Sequence, residues 1–296
     1  MRILVTGARG KVGRRVALAA HDAGHRVVAT DIGTPEYGPA TDPRAARYLR
    51  ADLTDYGQAI AVVHEARPDV VVHTAGLPDP LHDPAHVVFT TNVAATFSVA
   101  EAVARAGVPR LVYLSSETVP GFVTAERPFL PDYLPVDEDH PIRPQDGYAL
   151  SKYVGEEICA ALVRRTDVTA VSIRPSLVVS ADMYATFVAR LQQAPVRPFP
   201  NQWSYVDVDD LADLVLLAAT ASTTGHEVVY AAQPDNLLGR PLAELVRSAY
   251  GADAPPLRAL ERPEAGGIAI GKARSMFGWN PRRSWRDAGE LSFRED

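Results

Sequence analysis

The sequence predicts an α/β fold in which a doubly wound parallel sheet carries helices on both faces and a small C-terminal lobe follows. Two observations lead to this prediction. Short apolar runs alternate with longer stretches of helical spacing, and a glycine-rich segment separates the first apolar run from the first helical stretch. Strands that alternate with helices form right-handed β-α-β crossovers, which place the strands parallel.

The strands are predicted where aliphatic and β-branched residues run together, and the helices where apolar residues recur every three or four positions. The predicted strands are 2–6, 25–31, 48–50, 70–73, 110–115, 168–174 and 227–231. The predicted helices are 11–23, 56–66, 85–106, 147–165 and 207–219. The segment 117–146 interrupts the alternation, and its aromatic residues Phe122, Phe129 and Tyr133 favour a packed loop.

The composition excludes several classes of function. A net charge of −6 argues against a nucleic-acid surface, which needs clustered positive charge. The single Cys159 allows no disulfide framework, and the eight histidines show no metal-ligand spacing, so we expect no metal. No run approaches the roughly 20 apolar residues that span a bilayer. No signal-peptide pattern precedes the first strand, so we expect a cytoplasmic protein without a membrane partner.

The glycine-rich segment Thr6-Gly7-Ala8-Arg9-Gly10-Lys11-Val12-Gly13 has the context of a dinucleotide-binding loop, because a predicted strand precedes it and a predicted helix follows. The first glycine permits a tight turn, the second lets the backbone approach a pyrophosphate, and the third lets the helix pack on the strand. The alternative is a glycine-rich turn without a ligand. The expected cofactor contacts are Gly7, Arg9, Gly10, Lys11, Val12 and Gly13.

This loop identifies the sheet as a Rossmann type and sets the expected domains. Residues 1–175 form the nucleotide-binding domain, to which the helix and strand of 205–231 return. Residues 176–204 and 232–296 form a small substrate-binding lobe.

Asp31 ends the second predicted strand, 24 positions after Gly7. A carboxylate at this position accepts hydrogen bonds from the adenosine ribose and repels a 2′-phosphate. The sequence therefore favours NAD over NADP. Arg9 and Lys11 point the other way, because their positive charges would attract a 2′-phosphate.

Tyr148 and Lys152 lie four residues apart at the start of a predicted helix, so they share one helix face. A lysine cation lowers the pKa of a neighbouring tyrosine towards working pH and so favours a phenolate that takes an alcohol proton. Ser115 and Ser116 end the preceding strand, where a hydroxyl would stabilise charge on a substrate oxygen. The alternative for either serine is a capping role.

Together these motifs resemble the extended short-chain dehydrogenase/reductase family, in its sugar epimerase/dehydratase group. The likeness covers nearly the whole chain and keeps the family order. Its further elements are Asp52-Leu53, His73-Thr74-Ala75-Gly76, Asn92, Arg174-Pro175, the segment Tyr205 to Ala212 and the segment Ala273 to Pro281.

The resemblance implies a role for each matched residue. Tyr148 is the acid/base, Lys152 its partner, and Ser116, three residues before Val119, the donor to the substrate oxygen. Asn92 is structural. The further cofactor contacts that it implies are Asp52, Leu53, Ala75, Gly76 and Pro175.

Departures from the family pattern bear on the substrate. Ser176 stands where nucleotide-sugar epimerases have an asparagine, and Trp203 where they have an arginine aimed at the diphosphate. Dehydratases carry two carboxylates after the catalytic hydroxyl residue, whereas here Glu117 supplies one. These departures favour a smaller sugar, sugar acid or polyol, as in uronate dehydrogenases. Arg174 then meets a substrate carboxylate, or pairs with a loop acid inside the fold.

Three functions follow from these residues. The leading hypothesis is an NAD-dependent oxidoreductase with substrate contacts at Ser116, Glu117, Arg174, Ser176 and Trp203. Trp203 stacks on a sugar ring or packs within the lobe. The alternatives are a nucleotide-sugar epimerase and a non-catalytic NAD-sensing protein.

The resemblance also implies a homodimer paired through helices 85–106 and 147–165. We expect His73 in the core or beside the cofactor, and Glu156 and Glu157 on a solvated helix face.

Overall fold

Seven parallel strands form the central sheet in a computed structural model that describes residues 1–34, 47–78 and 83–287. The strands are β1 (Arg2–Thr6), β2 (Arg26–Asp31), β3 (Arg47–Arg50), β4 (Val70–His73), β5 (Arg110–Leu114), β6 (Thr169–Pro175), β7 (Val178–Val179), β8 (Val206–Asp207) and β9 (His226–Ala231). The sheet order is β3-β2-β1-β4-β5-β6-β9, and β7 pairs separately with β8. The predicted doubly wound Rossmann sheet is confirmed.

The helices cover both faces of this sheet. They are α1 (Lys11–Asp22), α2 (Tyr56–Ala66), α3 (Ala85–Ala106), α4 (Gly147–Arg165), α5 (Ala181–Met183), α6 (Ala189–Gln193), α7 (Val208–Thr220), α8 (Leu242–Tyr250) and α9 (Gly271–Phe277). Helix α1 packs against α7, while α3 packs against α2 and α4. A π-helical turn, Tyr184–Val188, joins α5 to α6.

Two hydrophobic cores form between these layers. One lies among α2, α3, α4 and the sheet and contains Val71 and Leu111. The other combines Ile3 and Val5 of β1 with Ile268 and Trp279 from the C-terminal part of the chain. The expected lobe therefore shares a core with the sheet, and the division into two domains stays a prediction. Residues 288–296 of the expected lobe lie outside the described residues.

Among the described residues, one helix is long and apolar enough to cross a membrane, and that helix is α3. From the sequence, no apolar run of that length is expected. Half of its most apolar 18-residue window is buried, and the helix packs between α2 and α4. Its position is that of a layer helix beside the sheet.

The segment 117–146 is a packed loop, as its aromatic residues predict. Phe122, Leu134 and Val136 are buried. The amide of Leu134 donates to the Pro256 carbonyl, and that of Val136 donates to the Gly267 carbonyl. The loop is therefore fastened to the C-terminal part of the chain.

The register of the sheet brings the strand ends together at one edge. Thr6 lies beside Thr30 and His73, and His73 lies beside Tyr113. The residues that follow these ends line the same cleft, in agreement with the rule that ligands bind outside the carboxyl ends of the strands.

Candidate active site

A cleft of about 940 Å³ lies along this edge. It is lined by every expected cofactor residue and by three of the five expected substrate residues, whereas Arg174 and Trp203 lie outside the lining. The expected residues that line it are Gly7, Arg9, Gly10, Lys11, Val12, Gly13, Asp31, Asp52, Leu53, Ala75, Gly76, Ser116, Glu117, Tyr148, Lys152, Pro175 and Ser176.

The glycine loop is held tightly between β1 and α1. Gly7 adopts φ of 65°, and the amide of Gly10 donates to its carbonyl at 3.0 Å. A Cβ on Gly13 would lie 2.2 Å from that carbonyl oxygen. Within the described residues no side chain caps the N-terminus of α1, so the first amides of the helix are left for an anion. This donor set fits the pyrophosphate of a dinucleotide.

Asp31 borders the same end of the cleft. Its carboxylate accepts hydrogen bonds from the backbone amides of Arg9 and Ile32, at 3.0 and 2.8 Å. The guanidinium of Arg9 is turned to the Thr34 carbonyl at 2.8 Å. An acid is therefore held where an adenosine ribose would bind, which fits NAD.

The residues after β3 and β4 extend this half of the cleft. The carboxylate of Asp52 accepts from the Thr54 amide and hydroxyl, and Leu53 is buried. A Cβ on Gly76 would lie 3.0 Å from the amide oxygen of Asn92. Asn92 in turn accepts from the Leu77 amide at 2.7 Å, which agrees with a structural role.

Tyr148 and Lys152 project from the start of α4. Asp146 caps this helix by accepting from the amides of Tyr148 and Ala149, both at 2.9 Å. The ammonium of Lys152 lies 5.7 Å from the centre of the Tyr148 ring and donates to the Leu114 carbonyl at 2.9 Å. Burial lowers the pKa of Lys152 to about 8, and the Glu156 carboxylate partly opposes this shift. Lys152 therefore carries its charge at neutral pH.

The two serines after β5 have different partners. Ser115 donates its hydroxyl to Glu156 at 2.5 Å. The hydroxyl oxygen of Ser116 accepts from the amide and hydroxyl of Thr118, at 3.2 and 3.0 Å. Two accepted bonds leave the hydroxyl proton of Ser116 for a group in the cleft, whereas that of Ser115 is already donated.

Arg174 does not line the cleft. Its position therefore disagrees with the expectation that it meets a substrate carboxylate. It is 2% exposed, and its guanidinium donates to both carboxylate oxygens of Glu156, at 2.8 and 2.7 Å. The expectation of a solvated Glu156 was therefore wrong, because this glutamate faces the sheet. Arg174 pairs with an acid inside the fold, as the alternative expects, but that acid lies on helix α4 and not in a loop.

Trp203 is likewise outside the cleft lining. It is 1% exposed, adopts φ of 59°, and packs against Tyr250 with ring centres 6.2 Å apart. Its position corresponds to the packing alternative and not to stacking on a sugar.

His73 lies in the core as expected. It is hydrogen-bonded to Thr6, and burial lowers its pKa to about 3, so its ring is neutral.

Glu117 and Ser176 meet at the opposite end of the cleft from the glycine loop. Ser176 donates its hydroxyl to the Glu117 carboxyl at 2.7 Å, and the amide of Glu117 donates to the Pro175 carbonyl at 3.0 Å. Burial raises the pKa of Glu117 to about 8, although hydrogen bonds from Ser176 and Asn201 oppose the shift.

Several residues of the site were not found from the sequence. Glu156 continues the four-residue spacing of Tyr148 and Lys152, so the signal for its inward position was present. Asp146 directly precedes α4 and carries the usual N-cap residue type. Thr118 and Met183, which also line the cleft, belong to segments without a periodic pattern.

Comparison with known proteins follows the same motifs. The model of the NAD dependent epimerase/dehydratase family matches residues 3–231. The uronate dehydrogenase of Pseudomonas syringae pv. tomato is 27% identical over 229 residues, which cover 77% of this chain and 73% of that enzyme. The UDP-glucose 4-epimerase of Lactobacillus helveticus is 23% identical over 315 residues, which cover 95% and 92%. A crystal structure of a UDP-galactose 4-epimerase has a TM-score of 0.71 at 25% identity, covering 97% of this chain and 96% of that one.

Proposed function

The chain belongs to the NAD-dependent epimerase/dehydratase family, and we propose that it is an oxidoreductase acting on a hydroxyl-bearing carbon of a sugar, sugar acid or similar polyol. The observation that carries the proposal is the convergence of Ser116, Tyr148 and Lys152 on one cleft that begins at the glycine loop. NAD is the cofactor of this family, and the uncapped α1 and Asp31 fit it.

In the proposed reaction, Tyr148 takes the proton of the substrate hydroxyl as the O–H bond breaks. The electron pair of the adjacent C–H bond leaves as hydride, and the carbon–oxygen bond becomes a carbonyl. NAD, which the glycine loop and Asp31 would hold, would supply the acceptor for that hydride. The products are a ketone or lactone, reduced cofactor and a proton on Tyr148, which passes to solvent.

The other two side chains stabilise charge during this step. The Lys152 ammonium, 5.7 Å from the Tyr148 ring centre, stabilises the phenolate form of the tyrosine. The hydroxyl proton of Ser116 donates to the substrate oxygen, where negative charge develops as the proton leaves. Both interactions are stronger when charge is present, so they lower the barrier and do not merely bind the alcohol.

A dehydrogenase screen tests the proposal. The purified chain is incubated with NAD and a panel of sugars, sugar acids and polyols, and reduced nicotinamide is followed by absorbance. Tyr148→Phe should lower turnover about 100- to 10,000-fold while leaving NAD binding intact. Tyr153→Phe is the matched control, because Tyr153 lies on the same helix but does not line the cleft. If no compound of the panel reduced NAD while a UDP-sugar was turned over, the proposal would be overturned.

The second candidate is a nucleotide-sugar epimerase. Its support is the likeness to the L. helveticus epimerase over 95% of this chain. This function predicts that NAD stays bound through the cycle and that UDP-glucose and UDP-galactose interconvert without net formation of reduced cofactor.

We also propose a cytoplasmic homodimer paired through α3 and α4. These helices pack side by side, and Phe97 on α3 and Leu150 on α4 are 53% and 39% exposed. Apolar side chains exposed on neighbouring helices support an interface. Light scattering coupled to size exclusion measures the mass, and a monomer would exclude this arrangement.

A further inference from the structure

We propose that Glu117 and Ser176 form a hydroxyl-binding pair for a polyhydroxyl substrate, and that the ionised form of Glu117 disfavours the carboxylate counterpart of that substrate. This inference rests on the proposed oxidoreductase function. It adds a substrate contact to that function, because Glu117 and Ser176 line the same cleft as Ser116.

The position of the pair follows from two neighbouring strand ends. Glu117 comes directly after Ser116 at the end of β5, and Ser176 directly follows β6. The amide of Glu117 is tied to Pro175, and that of Ser176 is tied to the Ala231 carbonyl at 2.9 Å. Both side chains line the cleft. Glu117 therefore follows Ser116 directly in the chain, and both residues line the same cleft.

The pair is built to bind hydroxyl groups. A carboxyl group can take up to about four hydrogen bonds, so those with Ser176 and Asn201 do not saturate it. Two carboxyl oxygens suit the neighbouring hydroxyls of a polyol, each of which can donate or accept. Glu117 is 7% exposed and Ser176 is 3% exposed, so these bonds form away from bulk water, where they discriminate strongly.

The charges around the cleft disfavour an anionic substrate at this end. In the part of the chain that the structure describes, the cationic side chains that line the cleft are Arg9 and Lys11 at the glycine loop and Lys152 under Tyr148. Arg174, which could have neutralised a substrate carboxylate, is committed to Glu156. Below the pKa of Glu117 a substrate carboxylate would share its proton, whereas above it two ionised carboxylates would repel each other.

Matched substrate pairs test the inference. Each pair consists of an aldose and the uronate that differs from it by oxidation of the terminal carbon, such as galactose and galacturonate. The ratio of kcat/KM for the two is measured above the pKa of Glu117, where its carboxyl is ionised. The wild type should prefer the neutral member at least about 10-fold.

Two variants separate charge from structure. Glu117→Gln keeps the shape and removes the charge, so the preference should fall towards unity through faster turnover of the uronate. Glu138→Gln is the matched control. Glu138 is a half-buried glutamate whose pKa burial also raises, it accepts from the Tyr230 amide, and it does not line the cleft. Its substitution should leave the ratio unchanged.

The outcomes distinguish this inference from the function on which it rests. A wild type that prefers the uronate, or an unchanged ratio in Glu117→Gln, overturns the role of the pair while leaving the oxidoreductase intact. Turnover of UDP-sugars with no turnover of either matched partner overturns both. A ratio that Glu138→Gln shifts as much as Glu117→Gln would show a general effect on the fold and would also refute the proposed role.

Discussion

Replacing Arg174 with methionine should destabilise the protein by about 3–5 kcal/mol, because it leaves a buried carboxylate without its cation. Arg174 and Glu156 are 2% and 4% exposed and are joined by two hydrogen bonds. After the substitution, Glu156 keeps the hydroxyl of Ser115 as a donor. A loss of this size is a large fraction of the roughly 5–15 kcal/mol that stabilises a typical domain.

Urea unfolding followed by tryptophan fluorescence measures the loss. With a slope of about 2–3 kcal/mol per molar urea, the midpoint of Arg174→Met should fall by about 1–2 M. The double variant Arg174→Met/Glu156→Leu should regain most of the stability, because both charges are then removed together.

An exposed pair provides the control. Arg143 and Asp132 are also joined by two hydrogen bonds, at 2.8 and 2.6 Å, but are 48% and 39% exposed. Arg143→Met should therefore leave the midpoint of urea unfolding nearly unchanged. A loss below about 1 kcal/mol for Arg174→Met, accompanied by a raised KM, would refute the reasoning and return Arg174 to the substrate.

Three further predictions concern the cofactor and the acid/base pair. Asp31→Ala should shift the NAD to NADP preference towards NADP by about 10- to 100-fold, from the loss of charged hydrogen bonds; an unchanged ratio of the two kcat/KM values would contradict this. Gly13→Ala should lose about 1–3 kcal/mol of stability and weaken NAD binding in titration calorimetry, because its Cβ would lie 2.2 Å from the Gly7 carbonyl oxygen; wild-type affinity would count against this geometry. Burial lowers the pKa of Lys152 to about 8, so its ammonium is lost as the pH rises through that value, and kcat/KM should fall with it; a profile that stays flat well above pH 8 would remove the need for the charge.

The helices could be predicted from the sequence because local signals bound them. Helices α2, α3 and α4 have the predicted limits. Asp55 and Asp146 cap α2 and α4 with their side chains, and Gly107 ends α3 with φ of 65°. The cofactor half of the cleft was predictable for a similar reason, since it consists of residues that directly follow strand ends.

The contacts that decide the other half of the cleft are not local. Arg174 and Glu156 lie 18 positions apart on a strand and a helix, and only the packing of α4 on the sheet makes them partners. Ser176 and Glu117 are 59 positions apart. Trp203 was assigned to the substrate from its place in a motif. In the structure its backbone is left-handed, and its ring packs in the core that the lobe shares with the sheet. Pair contacts of this kind need the register of β5 and β6, which no single segment encodes.

The core that β1 shares with Ile268 and Trp279 limits how such a protein can acquire a new substrate. The C-terminal segment cannot be exchanged independently, because its side chains share one core with strands of the sheet. Grafting this segment from a relative would import side chains selected against another sheet and would disturb β1, which leads into the glycine loop. Changes of specificity are therefore more accessible by point substitution at the cleft, where Glu117 and Ser176 can be altered while the shared core stays as it is.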